Sequence, residues 1–304
     1  MKRVLVTGAS GFVGRNSLLP LLERGFEVHA VRLHPDDASR NVRWHKADLL
    51  DLSAASRLLK EVRPSHLLHF AWNVKGSDYW TSAENLDWVQ AGLCLLRVFA
   101  ENGGERAVLA GTCAEYDWKH GHCFEEDTPA RPSTLYGTCK NSLREILAHF
   151  STQAGFSSAW GRIFFLYGPH EAESRLVPYV INHLLLKRPV QCSHGRQVRD
   201  FMHVQDAGEA FAALLACDVE GSVNIASGRS IAVKELVLTL ARRFGLEELV
   251  ELGARPLAES EPMLLAADVR RLNREVGWTP GIPLEEGLQR TIEWWEGKSC
   301  KDEK

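Results

Sequence analysis

The sequence predicts an α/β fold: a doubly wound parallel sheet followed by a smaller C-terminal α/β cap. Three observations lead to this fold class. Short apolar runs alternate with amphipathic stretches through the first half, which is typical of parallel strands joined by helices. A glycine-rich segment, Thr7-Gly-Ala-Ser-Gly-Phe-Val-Gly14, follows the first apolar run. Beyond Gly168-Pro169 the alternation breaks down, so we expect a second unit to begin there.

The first half should contain strands and helices in regular alternation. The predicted strands are Arg3–Thr7, Glu27–Arg32, Val42–Lys46, His66–Ala71, Ala107–Gly111 and Ser158–Phe164. The predicted helices are Phe12–Arg24, Ser53–Glu61, Asn85–Asn102 and Tyr136–Ala154. The strands at His66 and Ala107 are almost entirely apolar, as expected of strands that are buried on both faces.

The second half predicts mainly helices. They are Leu176–Leu186, Val233–Phe244, Ala267–Val276 and Leu284–Trp295, with a short strand at Val223–Ala226. These pieces look too small for an independent core. We therefore expect them to cover the C-terminal edge of the sheet, where doubly wound folds bind ligands. The polar tail, residues 298–304, should be frayed.

The composition excludes several function classes. A net charge of −3 over 304 residues gives no electrostatic footprint for nucleic acid or an anionic membrane surface. No apolar run approaches the ~20 residues of a membrane span. The first strand begins at Arg3, which leaves no room for a signal peptide. Seven cysteines without C-x-x-C pairs predict reduced thiols in a cytoplasmic protein, with no metal site.

The glycine-rich segment predicts a nucleotide-binding turn of the Rossmann type. Gly8 permits a tight turn, Gly11 lets the backbone approach a pyrophosphate, and Gly14 lies where the following helix begins. Residues 1–168, with parts of 200–228, are therefore the predicted dinucleotide-binding domain. Residues 169–199 and 229–297 form the predicted substrate-binding cap.

The end of the second strand bears on the choice of cofactor. NAD-binding folds usually place an acidic residue there to hold the ribose 2′-hydroxyl. This chain has Arg32, which suits a 2′-phosphate and favours NADP over NAD. Asp36 and Asp37 follow closely and are the alternative, as ribose ligands. Asp48, after the third strand, is placed either to accept a bond from the adenine amine or to cap its own loop.

Three residues predict a proton-transfer device beside the cofactor. Tyr136 and Lys140 are four positions apart and so share one face of a helix. A nearby ammonium favours the phenolate of Tyr136, whose ordinary pKa is about 10, and so prepares it for acid–base work. Thr112 ends an apolar strand upstream and supplies a hydroxyl. The three are the candidate catalytic residues.

With these motifs in this order, the chain resembles the extended short-chain dehydrogenase/reductase family, in its nucleotide-sugar epimerase/dehydratase group. The resemblance runs from Arg3 to about Trp295. Besides the motifs above, it is carried by Ala47-Asp-Leu49, His69-Phe-Ala71, Asn85, Tyr116, Arg162-Ile-Phe-Phe-Leu-Tyr-Gly-Pro169, Arg199-Asp-Phe-Met-His-Val-Gln-Asp206, Asn224-Ile-Ala-Ser-Gly228 and Gly277-Trp-Thr-Pro280.

The resemblance implies a role for each matching residue. Tyr136 would be the acid/base, Lys140 would bond the nicotinamide ribose and lower the tyrosine pKa, and Thr112 would orient the substrate oxygen. Further cofactor contacts are implied for Ser10, Phe12, Val13, Leu49, Phe70 and Ala71. Substrate contacts are implied for Cys113, Phe165, Leu176, Val177, Arg199 and Arg255.

Some of these substrate contacts have other interpretations. Arg199 matches the arginine that clasps the diphosphate of a nucleotide sugar, but an arginine can equally form an ion pair. Arg255 matches less closely as a second phosphate ligand. Cys113 is either a catalytic thiol or a small packing residue. His203 and Asp206 are interpreted as structural residues that bond backbone where the cap meets the sheet.

Departures from the family pattern narrow the reaction. Family members that dehydrate a sugar carry an Asp-Glu pair after the threonine, whereas this chain has Cys113-Ala114. Glu115 comes one place later and, on a continuing strand, would point to the other face. Many C4-epimerases have an asparagine at the position of Phe165. We therefore predict an NAD(P)-dependent oxidoreductase that reduces a 4-keto(-6-deoxy) nucleotide sugar. The alternatives are an NAD-dependent C4-epimerase and, more remotely, a non-catalytic NADP-binding sensor.

The helices Asn85–Asn102 and Tyr136–Ala154 also predict a homodimer. Their apolar residues exceed what one buried face requires, and the family commonly dimerises through a four-helix contact of these two elements.

Overall fold

A computed structural model of the chain describes residues 2–33, 41–76, 78–258 and 261–302, with side chains described as far as residue 298. The first half contains, in chain order, β1 (Arg3–Thr7), α1 (Gly14–Glu23), β2 (Glu27–Arg32), β3 (Val42–Lys46), α2 (Leu52–Val62), β4 (His66–His69), α3 (Glu84–Glu101), β5 (Arg106–Thr112), β6 (His122–Cys123), α4 (Leu135–Ala154) and β7 (Ser157–Ile163). Every strand and helix predicted there is present, with ends shifted by short distances.

The second half contains, in chain order, β8 (Phe165–Tyr167), α5 (Leu176–Leu185), β9 (Val190–Cys192), β10 (Val198–His203), α6 (Val204–Ala216), β11 (Gly221–Ile225), β12 (Ser230–Ala232), α7 (Val233–Phe244), β13 (Val250–Leu252), β14 (Leu264–Ala267) and α8 (Leu284–Asp302). The predicted helix at Ala267–Val276 is wrong. The chain leaves β14 at Ala267 and makes only a short π-helical turn over Arg271–Glu275.

A parallel sheet of seven strands forms the centre of the first unit, in the order β11–β7–β5–β4–β1–β2–β3. One apolar cluster fills the face under α1 and α6, and another fills the face under α2, α3 and α4. This confirms the doubly wound parallel sheet. The order reverses between β1 and β4, so their carboxyl ends open a crevice at the switch point, where such folds bind ligands.

A second sheet and a third apolar cluster lie where the cap meets the first unit. The strands β12, β10, β14 and β6 form a second sheet, with β8 also paired to β10. An apolar cluster lies among α5, α7, α8 and the neighbouring strands, with Val180, Leu236 and Leu288 fully buried in it. This cluster also includes Tyr167 and Phe201 from the first unit, so the cap shares its core with the unit it covers.

Candidate active site

The turn between β1 and α1 is built without room for side chains. Gly8 adopts φ of +65° and a Cβ there would lie 2.7 Å from the Ala71 nitrogen, while a Cβ on Gly14 would meet the Gly8 carbonyl oxygen. Gly11 N–H donates to that same oxygen at 2.9 Å. The preceding Val13 offers no side-chain cap to α1. A helix N-terminus without a side-chain cap, next to a turn without side chains, fits the pyrophosphate of a dinucleotide.

Thr7 joins this turn to the end of β4. Its hydroxyl bonds His69 Nδ1 at 2.7 Å and accepts from Ala71 N–H at 3.3 Å. Its carbonyl accepts from Phe70 N–H at 3.1 Å. Phe70 and Ala71 therefore lie at the switch point, beside the turn that also contains Ser10, Phe12 and Val13.

Arg32 ends β2 with its guanidinium 4.3 Å from the centre of the Trp44 ring. Its Nε and Nη2 are buried, and neither bonds a partner in the part of the chain that the structure describes. Asp36 and Asp37, the alternative ribose ligands, lie outside the described residues. Asp48 accepts from Leu50 N–H at 3.0 Å, the loop-capping arrangement, and Leu49 between them is buried.

The candidate catalytic residues come together from β5 and α4. Thr134 starts α4 by accepting from Gly137 N–H at 3.1 Å, which places Tyr136 in the first turn. A side chain on Gly137 would collide with the Ala114 carbonyl, so the glycine lets α4 approach the end of β5 closely. Tyr136 is 8% exposed, with the Thr112 side chain beside its hydroxyl.

The electrostatics of this group differ from the prediction. Burial, with a smaller contribution from Tyr79, raises the pKa of Tyr136 above its ordinary value, and the bond with Thr112 opposes this only in part. Burial also lowers the pKa of Lys140 to about 7. The expected lowering of the tyrosine pKa is therefore not found, because both groups are withdrawn from water. At neutral pH the tyrosine stays protonated and is poised as a donor.

Glu115 does not continue strand β5, so the argument that it would point to the other face of a strand does not apply. It lies in a short 3₁₀ turn at Cys113–Glu115 and is completely buried. Its carboxylate accepts from Thr112 N–H at 2.8 Å, from Trp160 Nε1 at 2.9 Å and from Arg162 Nε at 2.8 Å. These bonds fix the end of β5 and so the position of Thr112.

Aromatic rings surround Tyr136, and their position there was not predicted from the sequence. The ring centroids of Tyr79, Trp80 and Trp72 lie 5.1, 5.6 and 6.3 Å from that of Tyr136, each edge to face. Trp118 meets Trp80 at 6.2 Å. The available signal was the run of aromatic residues between β4 and α3, a segment without periodicity of its own.

The predicted substrate residues fall into two places. Arg199 on β10 is buried above the Phe165 ring at 5.4 Å, and its Nη2 bonds the Glu261 carboxylate at 3.0 Å. Arg255 is exposed and bonds the Tyr179 hydroxyl at 2.9 Å. Arg199 thus forms the ion pair that was its alternative interpretation.

The remaining predicted residues near the cap are mostly packing groups. Cys113 is buried, and burial raises its thiol pKa, which makes it a poor nucleophile. Leu176 and Val177 open α5 and pack into the core of the cap. His203 accepts from Gln205 N–H at 3.4 Å, the capping position of α6. Asp206 accepts from Gly281 and Ile282 N–H at 3.2 and 3.0 Å, as expected of a structural residue.

The described residues include neither a membrane-spanning helix nor a metal cluster. None of their helices is long and apolar enough to cross a membrane. They contain no group of three or more His, Cys, Asp or Glu side chains that could hold a metal ion. The six cysteines whose side chains are described are free.

Comparison with known proteins agrees with this geometry. The sequence model of the NAD dependent epimerase/dehydratase family matches residues 4–226. A dTDP-4-dehydro-6-deoxyglucose reductase of Escherichia coli is 25% identical, over 95% of this chain and 96% of its own length. A UDP-glucuronic acid decarboxylase 1 of Xenopus tropicalis is 26% identical, over 97% of this chain and 72% of its own length.

A solved structure with the same architecture is the UDP-glucose 4-epimerase of Thermus thermophilus in complex with NAD. It superposes with a TM-score of 0.84 at 26% identity, covering 97% of this chain and 99% of that one. The match to the family model spans most of the chain, and the glycine turn and the Tyr136–Lys140 pair lie inside it. The chain therefore belongs to the NAD-dependent epimerase/dehydratase family of extended short-chain dehydrogenases/reductases, and it is an enzyme.

Proposed function

We propose that this enzyme reduces the 4-keto group of a 6-deoxy nucleotide sugar, with Tyr136 as the proton donor. The arrangement at the end of β5 carries the proposal. Thr112 and Tyr136 stand together, while the nearby carboxylate of Glu115 is buried and bonded to Arg162 and Trp160. Removing water from a sugar needs a free acid and base, and Glu115 can serve as neither. A dehydratase is therefore disfavoured.

The hydroxyl of Tyr136 suits the proton transfer that a reduction needs. A raised pKa keeps the phenol protonated at neutral pH, so it can donate to the oxygen of a substrate ketone. In the reductive direction the proton passes from the Tyr136 hydroxyl to the carbonyl oxygen, which becomes the new hydroxyl. Lys140 stabilises the phenolate that is left.

The residues present fit a dinucleotide. The glycine turn and the start of α1 would hold the pyrophosphate, with Leu49, Phe70 and Ala71 lining the crevice, Asp48 at the adenine and Lys140 at the nicotinamide ribose. When bound, a reduced nicotinamide supplies the hydride that the ketone carbon accepts. We infer that the cofactor is NADP(H), because the buried Nε and Nη2 of Arg32 have no partner in the described chain and suit a 2′-phosphate.

The surroundings of Tyr136 support a deoxy sugar. Tyr79, Trp80 and Trp118 present apolar ring faces and edges near its ring. A hydroxymethyl group among these rings would lose hydrogen bonds to water, whereas the methyl group of a 6-deoxy sugar loses none. Phe165 and Trp118 pack on the same apolar cluster, which includes Cys113.

We assign the nucleotide part of the substrate to the cap, residues 169–199 and 229–297. Arg199 would bind the diphosphate, exchanging Glu261, which is well exposed, for a phosphate oxygen. Arg255, held at the surface by Tyr179, would be a second and weaker phosphate ligand. Cys113, Leu176 and Val177 would pack against the bound molecule.

We also propose a homodimer in the cytoplasm. Leu86 and Leu93 on α3 are 56% and 36% exposed, and Ile146 on α4 is 41% exposed. These apolar side chains form an unpartnered surface on the two helices that were predicted to pair, and a closed two-fold contact would bury them. The free thiols agree with a reducing compartment.

The alternative is an NAD-dependent C4-epimerase, which the likeness to the Thermus thermophilus enzyme favours. The test is to incubate the purified enzyme with dTDP-4-keto-6-deoxyglucose and either NADPH or NADH. A reductase consumes the reduced cofactor in proportion to the sugar alcohol formed. Loss of about 10²–10⁴-fold in kcat in Tyr136→Phe, with cofactor binding retained, is expected of a general acid. Interconversion of UDP-glucose and UDP-galactose without net cofactor consumption would replace the proposal with the epimerase.

A further inference from the structure

Trp72, which follows Phe70-Ala71 at the end of β4, touches both members of the acid–base pair. Its ring centre lies 3.9 Å from Lys140 Nζ, and its ring meets that of Tyr136 at 6.3 Å and 74°. We propose that Trp72 is a positioning residue that holds the Lys140 side chain charged and in place for catalysis. The catalytic meaning of this inference rests on the proposed function of Tyr136 and Lys140.

A buried ammonium needs compensating contacts, because water no longer solvates its charge. Lys140 is 3% exposed, and its Nζ donates to the Ala110 carbonyl at 2.8 Å. That neutral acceptor leaves its pKa lowered to about 7 by burial. The face of an indole is electron-rich and attracts a cation more strongly than a phenyl or phenol face does. Trp72 therefore opposes the effect of burial on the lysine.

The other titratable groups around the Lys140 ammonium do not replace its contact with Trp72. Glu115, from the turn after β5, favours the charge, but its carboxylate is already bonded by Arg162 at 2.8 Å. His69, from β4, is neutral because burial lowers its pKa to about 3. Tyr136, on the same helix, is neutral because burial raises its pKa. The Trp72 ring face is in direct contact with the ammonium, whereas the negative charge of Glu115 is shared between Lys140 and Arg162.

Trp72 is itself held firmly. Its Nε1–H donates to Asn85 Oδ1 at 2.8 Å, and Asn85 Nδ2 donates to the Tyr79 carbonyl at 2.7 Å. It also stacks on Trp88, with centroids 6.3 Å apart and ring planes 28° from parallel. The indole plane is thus fixed from α3, which gives Asn85 a role: it orients the ring that faces the lysine.

The test is a direct titration of Lys140 in the full chain. Lysine labelled with ¹³C at Cε reports the protonation of each side chain by NMR, and Lys140→Arg identifies the signal. Leucine keeps the site apolar but offers no ring face, so Trp72→Leu should lower the Lys140 pKa by about one unit. Trp72→Phe retains a weaker ring and should give a smaller shift in the same direction.

Trp88→Phe is the matched control: phenylalanine keeps a ring on Trp72, and Asn85 still holds the indole beside Lys140, so the Lys140 titration should be unchanged. A Lys140 titration in Trp72→Leu that equals the wild-type one would overturn the proposal. If Trp72→Leu does not fold, as judged by circular dichroism, an unshifted titration in Trp72→Phe would overturn it instead. The titration needs no substrate. A shifted Lys140 in an enzyme that does not reduce dTDP-4-keto-6-deoxyglucose would overturn the proposed reaction and support the contact.

Discussion

At the end of β2, the guanidinium of Arg32 lies on the Trp44 ring with two buried nitrogens that have no partner among the described residues. A buried hydrogen-bond donor without an acceptor costs free energy of folding, so these nitrogens point to a ligand that accepts their hydrogen bonds. The sequence alone placed an arginine where NAD-binding folds have an acid. The stacking on Trp44 was not predictable, because it depends on the pairing of β2 with β3.

Arg32→Asp should move the cofactor preference from NADPH toward NADH. The change removes a charged partner of the 2′-phosphate and adds a ribose acceptor, so the ratio of kcat/KM for the two cofactors should fall about 10- to 100-fold. Arg43→Asp is the control. Arg43 carries the same charge as Arg32, but it is an exposed residue of β3 that pairs with Glu27. An unchanged ratio in Arg32→Asp would mean that Arg32 does not face the 2′ position.

At the scale of elements, the turn after β5 shows what the sequence could and could not predict. The apolar pattern predicted β5 and α4 closely, because both are long and periodic. The 3₁₀ turn at Cys113–Glu115 was not predicted, since it is fixed by buried partners on β7 rather than by local sequence. The strands of the cap were missed for a similar reason: most are short, and their pairing is long-range.

Glu115→Gln should destabilise the whole protein. The amide removes the charge that faces Arg162 and leaves a buried guanidinium without its counter-ion, which costs about 3–5 kcal/mol of unfolding free energy. Urea unfolding followed by circular dichroism measures this. Glu275→Gln is the matched control, because Glu275 pairs with Arg271 near the surface and its loss should cost less than about 1 kcal/mol. Equal, small losses in both variants would contradict the structural role given to Glu115.

At the scale of the whole molecule, the exposed apolar residues of α3 and α4 predict an assembly. The enzyme should have about twice the 34.0 kDa mass of one chain by light scattering. Leu93→Glu places a charge on this surface and should give the monomer mass, whereas Leu252→Glu, at an exposed position on β13, should not. A wild-type mass near 34.0 kDa would contradict the homodimer.

Buried histidines should make the fold sensitive to acid. Burial lowers the pKa of His66 and His203 to about 4 and that of His69 to about 3. In the unfolded chain they protonate near pH 6.5, so the unfolded state binds more protons between about pH 4 and 6.5. The stability they contribute is complete above this window and is lost as the pH falls through it, by about 1.4 kcal/mol per pH unit for each group.

Glu171 acts in the opposite direction, because burial raises its pKa to about 8. Because three histidines outweigh this one carboxyl, the free energy of unfolding should still fall as acid is added. Urea unfolding at several pH values between 5 and 7 measures the slope. Glu171→Gln should steepen it, and a stability that does not change over this range would contradict the burial of the three imidazoles.

The reaction itself is tested most directly by following the hydride. NADPH carrying deuterium at the transferable position of C4 is incubated with dTDP-4-keto-6-deoxyglucose and the enzyme, and the product sugar is examined by NMR and mass spectrometry. We expect one deuterium on the sugar C4, release of unlabelled NADP⁺, and almost no transfer in Tyr136→Phe. Recovery of the 4-keto sugar without deuterium and of NADPH with its label intact, under conditions where the enzyme is folded and binds cofactor, would contradict it.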